Sequence, residues 1–138
     1  MTERGKPLYT ARIRTVGGRH GMSRSCDGRL DIRLSIPGTP RIGTNPEQLF
    51  AAGWSAGFEA AMAIVAQRRK IDLPADLTID AEVDLCLADE AYFLQARFKV
   101  SLPGIEREVA RSLVDEAHRT CPYSKATQGN IAVLIDLI

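Results

Sequence analysis

Hydrophobic positions in this chain alternate between a period of two and a period near 3.6, and the changes of period mark out its elements. From Leu8 to Val16 the pattern favours a strand, which ends in the turn-rich run Gly17-Gly18-Arg19-His20-Gly21. Asp27-Gly28 is a hairpin signal, and Leu30, Ile32, Leu34 and Ile36 follow it at period two. The N-terminal third is therefore expected to be antiparallel sheet. A Pro/Gly-rich loop from Pro37 to Gly43 leads to Thr44-Asn45-Pro46-Glu47. That run reads as a helix start, with a polar cap, Pro at the first helical position and a carboxylate in the first turn. The helix it opens should run to about Arg69.

This first helix is apolar on nearly every side from Phe50 to Ala66, which predicts a buried, central element. Gly53, Gly57 and Ala61 recur along it at four-residue spacing, a small-residue stripe that would let another backbone approach closely. Next, Leu77, Ile79, Ala81, Val83, Leu85 and Leu87 alternate with Thr78, Asp80, Glu82, Asp84 and Cys86, a half-buried strand with Cys86 on its wet face. A turn near Asp89-Glu90 returns the chain along Tyr92 to Leu102 as a second hairpin. A second helix is expected from about Glu106 to Thr120, with Ile105, Val109, Leu113, Ala117 and Cys121 on one apolar stripe, so that Cys121 points to the core. Pro122 should end it, and Ile131 to Leu137 closes the chain as a last strand. Strands, helix, strands, helix, strand is an α+β order rather than a βαβ repeat.

With 138 residues, 45% of them hydrophobic, and no repeat or linker, the chain is expected to form a single domain over 1–138. A formal charge of +1 gives no field to hold nucleic acid or an anionic membrane. The opening Met1-Thr2-Glu3-Arg4-Gly5-Lys6 lacks an apolar core of the kind a signal peptide needs, and Ser55 and Glu59 interrupt the longest apolar run. A cytoplasmic protein with no membrane span is expected. Cys26, Cys86 and Cys121 are too scattered for a disulfide framework, and His20 and His118 stand apart, so neither a metal nor another cofactor is expected.

Three blocks point to a family. The run Asn45-Pro46-Glu47-Gln48-Leu49-Phe50-Ala51-Ala52-Gly53-Trp54-Ser55-Ala56 resembles the central-helix signature of organic hydroperoxide reductase/resistance proteins, a subgroup of the OsmC-like superfamily. His118-Arg119-Thr120-Cys121-Pro122-Tyr123-Ser124 through Ile131 resembles the C-terminal Cys-Pro-Tyr-Ser segment of that group, and Gly17-Gly18-Arg19-His20-Gly21 its arginine loop. The resemblance spans nearly the whole chain. It implies an α+β fold in which a curved antiparallel sheet wraps around two central helices, in an interlocked homodimer with sites at the interface. It also implies a thiol peroxidase mechanism. A peroxidatic cysteine attacks the hydroperoxide, a resolving cysteine captures the sulfenic acid as a disulfide, and a lipoylated protein or other dithiol reduces it again. The attacking thiolate needs a nearby cation, which the family supplies as an arginine held by a glutamate. By resemblance these supports fall on Arg19 and Glu47, and the resolving position on Cys121.

The peroxidatic position falls on Gly57, which has no nucleophile. Three accounts stay open: a natural member that lost or moved its cysteine, a deliberate variant, or a match displaced by one helical turn. Cys121 could be the remaining redox thiol, although a cysteine on an apolar helix face is ordinarily an inert core residue. Cys86 shares its face with Asp80, Glu82 and Asp84, which oppose a thiolate. Cys26 has Arg24 and Arg29 close in sequence but reads as a turn-edge residue. Without the family blocks, Arg19 would be a solvated arginine and Glu47 a helix-start carboxylate. Two functions follow from these readings. One is a thiol-dependent peroxidase using Arg19, Glu47 and Cys121. The other is a non-catalytic dimeric binding protein for a fatty acid or a hydroperoxide-like amphipathic ligand, and it is preferred for the chain as it stands.

Overall fold

The structure, a computed structural model, describes residues 5–138 and divides into two compact units, Met1–Pro46 and Glu47–Ile138. In the first unit, strands β1 (Ile13–Val16), β2 (Met22–Ser25) and β3 (Asp31–Arg33) form an antiparallel sheet in that order. The first strand is shorter than the Leu8 to Val16 expectation. Its ladder stops at Ile13↔Ser25 because β2 ends there, and the residues before it have no partner strand. Asp27 folds the following turn: its carboxylate accepts from the Ser25 hydroxyl at 2.6 Å and from the Arg29 amide at 3.0 Å. Those hydrogen bonds, that of Ser25 first, hold its pKa below the usual carboxylate value. The period-two run also stops early. Leu34 is buried but makes only an isolated bridge to Thr44, and Arg41 closes the loop by donating to the carbonyls of Leu34 and Gly21 at 2.9 and 3.1 Å.

Between β1 and β2 the glycine run makes one turn of 3-10 helix, Gly18–His20. Glycine is needed here: Gly17 and Gly18 have φ of 80° and 58°, and a Cβ at Gly21 would lie 1.7 Å from the Val16 carbonyl oxygen.

The second unit is built on helix α1 (Pro46–Arg69), whose start and end match the expectation from its cap residues and periodicity. Its burial does not. Trp54, Phe58, Ala61, Met62, Val65 and Ala66 are buried on one stripe, while Ala52, Ala56, Ala60, Ala63 and Ile64 are exposed. Alanine and glycine make the helix apolar all round by content, but nearly all of its bulk lies on one side. By length and mean hydropathy alone it could cross a bilayer, despite Ser55 and Glu59. Its large side chains instead pack inside the unit: Trp54 and Phe58 meet Phe98 edge-on, with ring centroids 5.0 and 5.5 Å apart.

Strands β4 (Thr78–Ala88) and β5 (Ala91–Ser101) pair antiparallel along their whole length, joined by Asp89 and Glu90 at φ of 50° and 63°. Two left-handed residues in succession give the turn whose twist matches a hairpin. Strand β6 (Ala132–Leu137) lies on the other side of β5, parallel to it. The sheet is therefore mixed rather than wholly antiparallel, because two helices separate β5 from β6 and carry the chain back to the end where β5 began. One βαβ crossover thus sits inside an α+β chain.

Helix α2 (Arg107–Thr120) is capped by Glu106, whose carboxylate accepts from the amides of Glu108 and Val109, both at 3.2 Å. Its buried stripe is Ala110, Leu113, Val114 and Ala117. Val109, expected inside, lies at the edge and is exposed, because the true stripe is centred on the Leu113–Val114 side of the helix. A short helix α3 (Pro122–Thr127), absent from the sequence reading, follows at once.

Candidate functional site

Cys121 joins α2 to α3. Its amide donates to the Ala117 carbonyl at 2.8 Å, closing α2, and its carbonyl accepts from the Lys125 amide at 3.0 Å, opening α3. Between these bonds its backbone is extended, with ψ of 125°, as the following Pro122 demands. The side chain is fully buried, in line with the expected core orientation. Proline is thus both stop and start here: it prevents α2 from continuing and supplies the first residue of α3, where its missing N–H costs nothing.

The turn brings Tyr123 over α1. A Cβ added to Gly53 would lie 3.3 Å from Tyr123 Cε2, and one added to Gly57 would lie 3.7 Å from Tyr123 Cδ1. The small-residue stripe therefore receives an aromatic ring rather than another backbone. Next to it, the buried Ser124 hydroxyl accepts a hydrogen bond from Trp54 Nε1 at 3.1 Å. Thr127 anchors α3 by donating to the Tyr123 carbonyl at 2.9 Å.

Gly57 lies at the centre of this arrangement. The same added Cβ would be 4.0 Å from Cys121 Sγ. In a disulfide the Cβ of one cysteine lies roughly 3 Å from the sulfur of the other, so a cysteine at position 57 would have to close a gap of about 1 Å to pair with Cys121. Two positions 64 residues apart in sequence, singled out from separate motifs, thus meet at one point in the fold.

Arg19 sits in the 3-10 turn of the first unit, and Glu47 is in the first turn of α1 in the second, where the helix dipole favours a carboxylate. Cys26 is exposed at the end of β2, its amide bonded to the Arg12 carbonyl at 3.0 Å. Cys86 is half-buried and opposite Phe93, not on a fully wet face. The alternation slips after Val83, where Asp84 is drawn in by Arg97 and Leu85 and Leu87 become exposed. Arg97 grips Asp84 with two donors, at 2.7 and 3.0 Å, and Glu82 with a third at 3.1 Å. The acidic face beside Cys86 is therefore partly neutralised. The Arg97 hydrogen bonds, followed by that of Gln95, hold the Asp84 carboxyl down at about 2.

His118 belongs to the same neighbourhood, although its isolation in sequence gave it no role. It lies three residues before Cys121, a spacing that puts both on one side of the helix end and could have drawn attention to it. Its ring is 6.3 Å from that of Phe58, and its Nδ1 is buried with no hydrogen-bond partner. Burial lowers its pKa, opposed by the charge of Asp115 and reinforced by that of Arg119.

Comparison with known proteins agrees on one kinship. The family model described as OsmC-like protein matches residues 38–136. An organic hydroperoxide resistance protein of Xanthomonas axonopodis pv. citri is 42% identical over 141 residues, covering 99% of both chains. The crystal structure of the organic hydroperoxide resistance protein OhrB of Bacillus subtilis superposes with a TM-score of 0.90 at 39% identity, covering 96% of this chain and all of that one. An organic hydroperoxide resistance protein from Legionella pneumophila superposes at 0.89 with 38% identity, covering 96% and 98% of the two chains.

Proposed function

Because the chain belongs to the OsmC-like protein family, within its organic hydroperoxide resistance subgroup, we propose that it keeps that group's site and lacks its turnover. In this reading it is a dimeric, cytoplasmic binding protein for organic hydroperoxides or fatty-acid-like amphipathic molecules, impaired as a peroxidase because Gly57 holds the attacking position. One observation supports this above others: there is room beside Gly57 for the side chain that it lacks. An ideal Cβ on Gly57 meets Tyr123 at 3.7 Å and Cys121 Sγ at 4.0 Å, so a cysteine would fit there, beside Cys121.

The chemistry makes the defect specific. Reduction of a hydroperoxide by a thiol begins when the thiolate sulfur attacks one peroxide oxygen. An S–O bond forms, the O–O bond breaks, and the alkoxide leaves as the alcohol after taking a proton. The sulfenic acid then condenses with a second thiol, losing water and forming a disulfide, which an external dithiol reduces. Glycine has no electron pair for the first step. Arg19 and Glu47 are proposed as the cation and its carboxylate support. A bidentate pair of this kind would leave a cationic, partly apolar site able to hold the anionic end of a ligand after the thiol is lost.

A second reading is a one-cysteine peroxidase in which Cys121 attacks directly. Its full burial argues against it, since a peroxide would have to enter the core to reach the sulfur. Following tert-butyl hydroperoxide loss with dihydrolipoamide as reductant separates the two. The unmodified chain should show no turnover above background. Gly57→Cys should gain it, with a disulfide between the introduced thiol and Cys121 visible by mass spectrometry after one peroxide addition. Turnover by the unmodified chain that vanishes in Cys121→Ser would overturn the binding reading in favour of the one-cysteine enzyme. Inactivity of both forms would sink the assignment of Arg19 and Glu47.

A further inference from the structure

His118 sits in the last turn of α2, three residues before the fully buried Cys121, with its ring 6.3 Å from that of Phe58 on α1. We propose that this ring is an acid-sensitive latch on the α2–α3 bend: neutral, it holds the bend closed over Cys121, and protonated, it turns out and opens that thiol to solvent. The observation that carries this is at Nδ1, which is shut off from solvent and has no hydrogen-bond partner. In the neutral ring this nitrogen can present a lone pair, and the loss is one unmade hydrogen bond. Protonation puts an N–H there as part of a cation, and a buried charged donor without an acceptor costs far more. Among the described residues none supplies that acceptor while the bend is closed.

The charges around the ring work in the same direction. From α1 it meets Phe58, which is apolar. On α2 the groups that act on it are Asp115 and Arg119, and Asp115 is already held by Arg111 at 2.8 Å. From α3, Lys125 lines the same depression as His118 and Arg119. An imidazolium would therefore stand with two cations and one carboxylate already committed. Burial, the largest cause, lowers the pKa of His118 below the ordinary 6.5, opposed by Asp115 and reinforced by Arg119. The closed bend thus favours the neutral ring, and that support is fully present above about 6.5 and is lost as pH falls through the closed-state value. Ring and thiol share one turn of backbone: the Cys121 amide donates to the Ala117 carbonyl at 2.8 Å, so displacing His118 disturbs the turn that carries Cys121. On the sulfur's side facing α1, Gly57 contributes no side chain to hold it in. The latch does not depend on whether the chain binds or reduces hydroperoxide.

The cysteines supply the controls for a test, because Cys26 is exposed, Cys86 half-buried and Cys121 buried. The full-length protein is labelled briefly with a dipyridyl disulfide, which reacts with thiols at acid as well as neutral pH, and each site is read by peptide mass spectrometry. From about pH 7.5 down to about pH 5, the Cys121 rate relative to Cys26 should rise by about five- to thirtyfold. The upper figure is what one proton allows when the open form titrates at about 6.5. The Cys86 rate relative to Cys26 should stay level, which separates opening of the bend from general acid unfolding. His118→Gln keeps a polar side chain without the titration and should label Cys121 at one relative rate throughout, high or low according to how well glutamine packs. Should that variant not fold, imidazole NMR of the parent tests the same link, with His20 as the only other histidine: the His118 titration should fall where the Cys121 rise levels off. A level Cys121 ratio in the parent overturns the proposal. So does a rise that persists in His118→Gln, that Cys86 shares, or that levels off away from the His118 titration.

Discussion

Gly53 and Gly57 are both half-buried glycines inside one helix and both lie beneath the Tyr123 ring, but their surroundings differ enough to give opposite mutational outcomes. An alanine at 57 would meet only ordinary contacts at 3.7 and 4.0 Å, whereas at 53 its methyl would press on Tyr123 at 3.3 Å from Cε2 and 3.4 Å from the hydroxyl oxygen. Replacing an interior helical glycine by alanine gains roughly 0.5–1 kcal/mol when nothing obstructs the methyl. Gly57→Ala should therefore raise stability by about that amount, and Gly53→Ala should gain less or lose, because the ring must give way. Urea unfolding of the two variants beside the parent tests this, and an equal gain in both would show that Tyr123 does not pack as described. The four-residue spacing of the glycines made the stripe legible in sequence. What fills it was not, because a tyrosine 66 residues after Gly57 arrives there only through the Cys121–Pro122 bend.

Among the elements, those with local signals were the legible ones. The first helix had Pro46 and Glu47 at its start, the β4–β5 hairpin had strict alternation and a polar turn, and α2 had Glu106 before its amphipathic run. The parallel placement of β6 left no local trace: a strand of alternating apolar residues looks the same beside either kind of neighbour. The slip in alternation after Val83 was likewise hidden, since it comes from the cross-strand pull of Arg97 on Asp84. That pull has a consequence for acid stability. The folded carboxyl is held down at about 2, whereas in the unfolded chain Asp titrates near its usual ~3.9. Its contribution is thus fully present above the unfolded value and is lost as pH falls from about 4 through about 2. Asp84→Asn should flatten the fall in the urea midpoint across that window relative to the parent, and high salt should shrink the difference because the pair is partly exposed. A midpoint that falls equally in both proteins would remove Arg97–Asp84 from the account of acid unfolding.

At the scale of the molecule, the question is what covers the apolar surface that the chain leaves open. In the first unit, Leu34 is the only buried apolar side chain among the described residues, too little for a unit of 46 residues to hold its fold alone. In the second, one face of the outer half of the β4–β5 hairpin exposes Leu85 at 45%, Leu87 at 60% and Tyr92 at 72%. Exposed apolar residues grouped in this way mark a surface meant to be covered. The proposed homodimer would cover it, and the proposed single domain requires that the first unit not unfold independently. Both ideas predict the same behaviour: sedimentation at micromolar concentration as twice the 15.1 kDa chain mass, and one cooperative thermal transition whose midpoint rises with protein concentration. A double variant, Leu87→Glu/Tyr92→Glu, places charges on exposed positions with no core contact to lose. It should therefore sediment as a monomer and unfold at a lower, concentration-independent temperature. Two separate transitions in the parent would mean that the first unit is a domain in its own right. A parent that sediments as a monomer with a concentration-independent midpoint would leave the hairpin's apolar half to another partner.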